Sequence, residues 1–286
     1  MHYSAFTGRV VVKQILLICL AWFGTVGLCS AAAYDDFARG LNANQVGDAD
    51  SAITSFTAAI EASDLSKTLL PAAYRGRGEA YLHKQKCDPA LADFGASLKL
   101  KPDDLAALEL HADAATCLEK FDVALADISM LGGKADPGLY WRRARLYFAA
   151  GNYRAAVDDL VTYVGHRTKD PYPTLWLEMA RMRAGMLDPK VAAHDIDDFD
   201  SDNWPAPLLA LYAGKAKVED IPAAAARGMA DGRVGRECEA NYYVAEWRLA
   251  NADVATARPL LEDAAAHCPP LFIEAKQARY ELRKLP

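Results

Sequence analysis

His83 and Cys87 stand four residues apart, and His267 adjoins Cys268, so each pair offers an imidazole and a thiol to a metal. A closed zinc site needs four such ligands. No third and fourth arrive at a matching spacing, so no metal is expected. Asp195, Asp197, Asp198, Asp200 and Asp202 form an acidic stretch, and Asp198, Asp200 and Asp202 alternate as in a calcium loop. That loop also needs a turn glycine and a closing bidentate glutamate. Asn203 and Leu209 occupy those places, so the stretch reads as a solvated acidic linker. No H-E-x-x-H, G-x-S-x-G or phosphate-loop pattern occurs. Gly76 and Gly78 fall inside a helical pattern, where they serve packing. Nothing fixes the scattered Ser, His and Asp side chains as a triad. The sequence predicts a protein that is not an enzyme and uses no cofactor.

Composition narrows the field further. The chain has 286 residues, a net charge of −6 and 52% hydrophobic residues. A nucleic-acid binder needs a basic surface to displace counterions, so that class is excluded. Abundant alanine and scarce β-branched runs favour helix. Arg9 and Lys13 precede a short apolar run, Ile15 to Leu28, which ends in Cys29-Ser30-Ala31-Ala32-Ala33. This is the pattern of a secretory signal, and it is too short to span a bilayer comfortably. Residues 1–33 are therefore predicted to be a signal peptide cut after Ala33, with a soluble periplasmic product. Losing Arg9 and Lys13 takes the net charge from −6 to −8. Two alternatives are a retained signal-anchor and acylation at Cys29. Leu28 fills the slot where a lipoprotein signal carries a small residue. Membrane attachment is expected only if Cys29 is acylated.

The remaining elements read as repeats. Gly78, Ala90, Phe94, Ser97 and Pro102 have a small–Ala–aromatic–small–Pro spacing that resembles the tetratricopeptide repeat. Ala112, Ala124, Ile128 and Leu131 fill the same slots, with Ala90 and Ala124 spaced 34 apart. Ala144, Tyr147, Gly151, Ala156, Leu160 and Tyr163 follow after a step of 32 from Ala124 to Ala156. Gly40, Gly47, Ala52, Phe56 and Ala59 make an earlier copy; Ala245, Asp253, Ala257, Leu261, Ala264 and Pro269 make a last one. Each copy is two antiparallel helices that cannot bury their apolar face alone, so copies must stack. The expected fold is all-α: a superhelix of helical hairpins (an α-solenoid) closed by a capping helix around Phe272, Ala275, Ala278 or Arg279, and Leu282. Residues 34–170 hold the N-terminal repeats. Residues 171–236 read as a degenerate pair, marked by Trp176, Ala180 and Ala193, followed by linker helices. There Leu208–Ala213 is expected to end at Gly214. Residues 237–286 hold the last hairpin and the cap.

Stacking also pairs the cysteines. Of six, Cys19 and Cys29 lie in the signal, leaving Cys87, Cys117, Cys238 and Cys268. An even number in an exported chain suggests disulfides. The repeat register brings Cys87 to Cys117 and Cys238 to Cys268. The alternative is four buried free thiols.

In such arrays the first helix of each hairpin lines a concave groove. The register places Arg75, Glu79 and His83 there, then Glu109 and Asp113, then Trp141, Arg145 and Phe148, then Arg181, then Tyr242 and Glu246. Charges of both signs beside aromatics suit a peptide or protein segment. The Lys/Asn clamp that would capture an acidic tail is not present at these slots.

A narrower resemblance lies in Trp204, Leu211-Tyr212-Ala213-Gly214-Lys215, Asn241-Tyr242-Tyr243-Val244-Ala245-Glu246, Ala252-Asp253 and Phe272-Ile273-Glu274. These resemble the NlpI-like tetratricopeptide lipoproteins of bacterial envelopes. The resemblance implies a dimeric periplasmic scaffold that brings peptidoglycan hydrolases together with a processing protease. The expectation is an adaptor that binds envelope proteins through the groove. The competing expectation is a module that binds peptidoglycan or a small ligand.

Overall fold

The computed structural model describes residues 32–132, 136–166, 169–196, 199, 203–269 and 272–286. Most of the signal segment, with Cys29, lies outside the described residues, as do Asp197, Asp198, Asp200 and Asp202 of the acidic stretch. All regular structure among the described residues is helical. No helix among them is long and apolar enough to cross a membrane.

The chain forms two compact units that divide between Asp127 and Ile128. The first holds α1 (32–45), α2 (Ala49–Glu61), α3 (Leu70–His83), α4 (Cys87–Leu100), α5 (Leu105–Cys117) and most of α6 (Phe121–Met130). Here α2 packs on α3, α3 on α4 and α4 on α5. The second continues with α7 (Gly138–Ala149), α8 (Tyr153–Val164), α9 (Pro171–Arg183), α10 (Pro189–Asp195), α11 (Ala206–Tyr212), α12 (Ile221–Ala225), α13 (Arg233–Ala250), α14 (Val254–His267) and α15 (Ile273–Lys284). There α7 packs on α8, α8 on α9, and α13 on both α9 and α14; α15 closes against α14. Each unit is a stack of helical hairpins.

The repeat slots are where the packing is tightest. Ala52, Phe56, Ala59, Ala90, Phe94, Ser97, Ala112, Ala124, Ala144, Ala156, Leu160, Ala245, Ala257, Leu261 and Ala264 are fully buried. In the first unit the Phe56 ring sits between Gly40 and Gly76. A Cβ built on either glycine would lie 2.8 Å or 2.4 Å from that ring. Gly78 does the same for Phe94, where a Cβ would come within 2.7 Å. The two glycines of α3 therefore face different neighbours: Gly76 accepts a ring from the preceding hairpin and Gly78 one from its own. Such close approach is open only to glycine.

The turns inside the hairpins share one geometry. Gly47, Gln85, Glu119, Gly151 and Ala252 all have positive φ, at 78°, 56°, 57°, 79° and 59°. Each stands five residues before its buried alanine. A left-handed residue ends the first helix. The next residue opens the second. Asp48, Asn152 and Asp253 cap α2, α8 and α14 by accepting from the backbone N–H groups of Ser51, Ala155 and Thr256.

Residues 171–236 depart from the sequence reading in one respect. Ala192, not Ala193, is the fully buried alanine of α10. It stands twelve residues after Ala180, the spacing of the other hairpins. The turn differs, since Gly185 at φ 67° stands seven residues before Ala192 instead of five, so α9 and α10 form an irregular pair, with the second helix cut to seven residues. Beyond them α11 ends as expected, with Gly214 at φ 69°.

Both predicted cysteine pairs are bridged. Cys87 at the start of α4 joins Cys117 at the end of α5, with Cα atoms 6.1 Å apart. Cys238 in α13 joins Cys268 just past α14, at 5.1 Å.

Candidate partner-binding surface

The first helices of the hairpins carry the side chains that the sequence assigned to a groove, and each unit presents its own set. On α3, Arg75 donates to Asp104 at 2.8 Å and lies 3.6 Å from Glu79. Asp104 also caps α5 through the Ala107 N–H, so Arg75 ties one hairpin to the next. Burial raises the Glu79 carboxyl above its ordinary range, against the pull of Arg75. His83, Glu109 and Asp113 are exposed. One helix face in this unit therefore mixes cation, imidazole and carboxylates.

On α7, Trp141 is half-buried. It stacks on Tyr163 at 5.8 Å, meets Trp176 edge-on at 5.7 Å, and carries the Arg145 guanidinium over its ring at 5.2 Å. Trp141 is thus held from behind, with part of its surface accessible. Arg181 bridges Glu178 and Asp195 at 2.6 and 2.7 Å.

Phe148, Tyr242 and Glu246 do not line an open face. All three are fully buried, which corrects the register-based assignment. Phe148 packs its edge on Tyr153 and Trp176. The reason for the other two lies in α13, which α9, α11, α12, α14 and α15 enclose. A helix covered on so many sides has no face left for a groove.

The sequence reading missed a recurrent polar pair. Arg77 forks onto Asp93 through two hydrogen bonds of 2.8 Å. Arg143 forks onto Asp159 at 2.7 and 2.6 Å. His111 Nδ1 lies 2.6 Å from Asp127. All three pairs are sixteen residues apart. They step along the chain by 34 and 32, as the alanines do. That shared step is the signal that would have found them. The carboxylate raises each arginine's affinity for its proton despite burial. Tyr74 and Tyr140 face the same guanidinium groups at 5.7 and 5.5 Å. These pairs lock first helix to second.

The second unit also encloses charge. Arg183 donates to Glu246 at 2.6 Å, to Glu281 at 3.3 Å and to the Tyr153 hydroxyl. Lys284 donates to Glu281. Burial and the nearby Glu281 hold the Glu246 carboxyl well above its usual range. Burial pushes Glu178 and Glu274 up to about 7. Raised carboxyl groups in a cleft would be acid–base candidates. Glu178, Glu246 and Glu281 are fully enclosed, so none of the three faces a path to a substrate.

Metal chemistry finds no seat among the described residues, which contain no cluster of three potential ligands. Cys87 and Cys268 are committed to disulfides, and His267 faces Asp263 at 2.8 Å.

The geometry defines a tetratricopeptide-type stack of hairpins, and solved structures agree. A tetratricopeptide repeat protein from Parabacteroides merdae superposes with a TM-score of 0.59 at 17% identity, covering 87% of this chain and 98% of that one. The MamA protein superposes with a TM-score of 0.51 at 13% identity, covering 60% of this chain and 93% of that one. At such identities the likeness is one of fold. No protein-family model matches the chain.

Proposed function

We propose that this chain is a non-catalytic scaffold of the cell envelope that binds protein segments through the exposed faces of its first helices. One observation carries the reading. Within a tetratricopeptide fold, α3 and α5 present Arg75, Glu79, His83, Glu109 and Asp113 on accessible surface, and α7 presents Trp141 under Arg145. Mixed charge recognises polar side chains and backbone, and a rear-braced tryptophan offers anchoring area at little entropic cost. Two disulfides suit an oxidising compartment, and the signal-like N-terminus points to export. On this reading the chain is periplasmic, with membrane attachment only through acylation of Cys29. The resemblance noted above nominates a protease or a peptidoglycan hydrolase as partner, and a second copy of the chain as a further one.

The test is capture of native envelope proteins on the immobilised chain, comparing the unaltered protein with Arg75→Glu and with Glu109→Arg/Asp113→Arg. Defined partners should be retained and then lost in at least one variant whose melting temperature is unchanged. Retention on purified cell-wall sacculi with no protein partner would favour the glycan-binding alternative instead.

A further inference from the structure

Where the short helices α11 and α12 meet the start of α13, the second unit contains a cleft of about 510 Å³. Among the described residues it is lined by Asn203, Trp204, Pro207, Ala224, Arg227, Gly228 and Arg236. That volume lies within the range of ~300–1,000 Å³ typical of small-molecule sites. Its walls divide into an apolar side, made by the Trp204 indole, Pro207 and Ala224, and a cationic side made by two arginines.

The cationic side is built rather than incidental. Arg236 Nε donates to the Ala225 carbonyl at 3.0 Å, and its Nη2 donates to the Met229 carbonyl at 2.9 Å. Two of its five N–H donors are thereby used for aiming, and the rest remain. Gly228 and Gly232 leave the space that this guanidinium occupies: a Cβ on Gly232 would lie 2.6 Å from Nη1, and one on Gly228 would lie 3.4 Å from Cζ. Arg227 is exposed, and no ion pair or side-chain hydrogen bond holds it among the described residues. The indole is fixed as well, since Trp204 Nε1 donates to Glu239, which Tyr172 braces from 2.9 Å.

We propose that this cleft binds a small organic carboxylate, its charged end forked by Arg227 and Arg236 and its apolar body laid against Trp204 and Pro207. Guanidinium groups match the planar carboxylate with paired N–H donors. Inorganic phosphate could meet the arginines but would leave the apolar wall unused.

The experiment titrates the full chain with N-acetyl-phenylalanine, with its neutral amide, and with inorganic phosphate. Calorimetry and Trp204 fluorescence are read together, and Trp204→Phe assigns the optical signal. The acid should bind saturably, the amide about tenfold more weakly or less, and phosphate should not match the acid. Losing a charge-assisted hydrogen bond corresponds to about tenfold or more. Arg227→Gln should weaken the acid by a similar factor with an unchanged melting temperature. Arg227→Lys should fall between the two. No saturable binding of the acid, equal binding of acid and amide, phosphate binding as tightly as the acid, or an Arg227→Gln chain that binds like the parent would each overturn the proposal.

Discussion

Gly76 shows how much a single side chain, or its omission, decides. Alanine is the better helix former by up to ~1 kcal/mol, yet a methyl group here would enter the Phe56 ring at 2.4 Å. Overpacking of that kind costs about 1–3 kcal/mol. Gly76→Ala should therefore lower stability, and Phe56→Leu, which withdraws the ring, should recover part of the loss when combined with it. A urea-unfolding double-mutant cycle reads both effects. Glu178 supplies the pH dependence at this scale. Its carboxyl ionises near 7 in the folded chain against an ordinary value of 4.5, because burial disfavours the charge. A carboxyl raised on folding favours the folded state below its ordinary value and loses that contribution as pH rises through about 7. Glu274 acts in the same sense. The urea midpoint should fall between pH 5 and pH 8, and Glu178→Gln should flatten the slope. A midpoint that climbs over that interval would contradict the burial reading.

Helix pairs obey a stricter rule than their sequences advertise. The left-handed position of each turn is glycine in two of the five cases described above, but Gln85, Glu119 and Ala252 adopt the same conformation with a Cβ present. Such backbone costs an L residue roughly 1–2 kcal/mol, and glycine relieves it at some entropic cost. Ala252→Gly should raise stability by ~0.5–1 kcal/mol, measured as a shift in the urea midpoint at constant slope. Hairpins were legible from sequence because small and large apolar residues recur at fixed steps. Ala90, Ala124 and Ala156 announce themselves by type. The Arg77–Asp93 and Arg143–Asp159 forks were not read, because a charged residue on a helix ordinarily faces water. Only their common step with the alanines marks them. α13 was misread for the complementary reason: register says which side a residue is on, but not that five further helices close over it. Hence Tyr242 and Glu246 belong to the core, and Phe148 with them.

At the scale of the molecule, the two disulfides staple neighbouring helices within each unit. Each closes a loop with a sequence separation of 30, which the chain-entropy model values at roughly 3–4 kcal/mol. Cys87→Ser/Cys117→Ser should lower the melting temperature of the first unit, and Cys238→Ser/Cys268→Ser that of the second. Calorimetry of each pair, with and without reductant, checks the assignment. Composition and repeat spacing were enough to specify a helical stack and its cysteine pairing. The cleft at Trp204 escaped them because, apart from Arg236 at the start of α13, its walls come from short helices and turns with no period. The groove residues were only half legible, since exposure depends on which helices pack against a face.

The most direct measurement is photo-crosslinking in the native envelope, with a benzoylphenylalanine placed singly at Arg75, Glu109 and Arg145 on first helices, and at Lys99 and Arg154 on second helices. Discrete protein adducts from the first set, with none from the second, are the expected result. Adducts from Lys99 and Arg154 alone, or from no position at all, would contradict a scaffold that works through its first-helix faces.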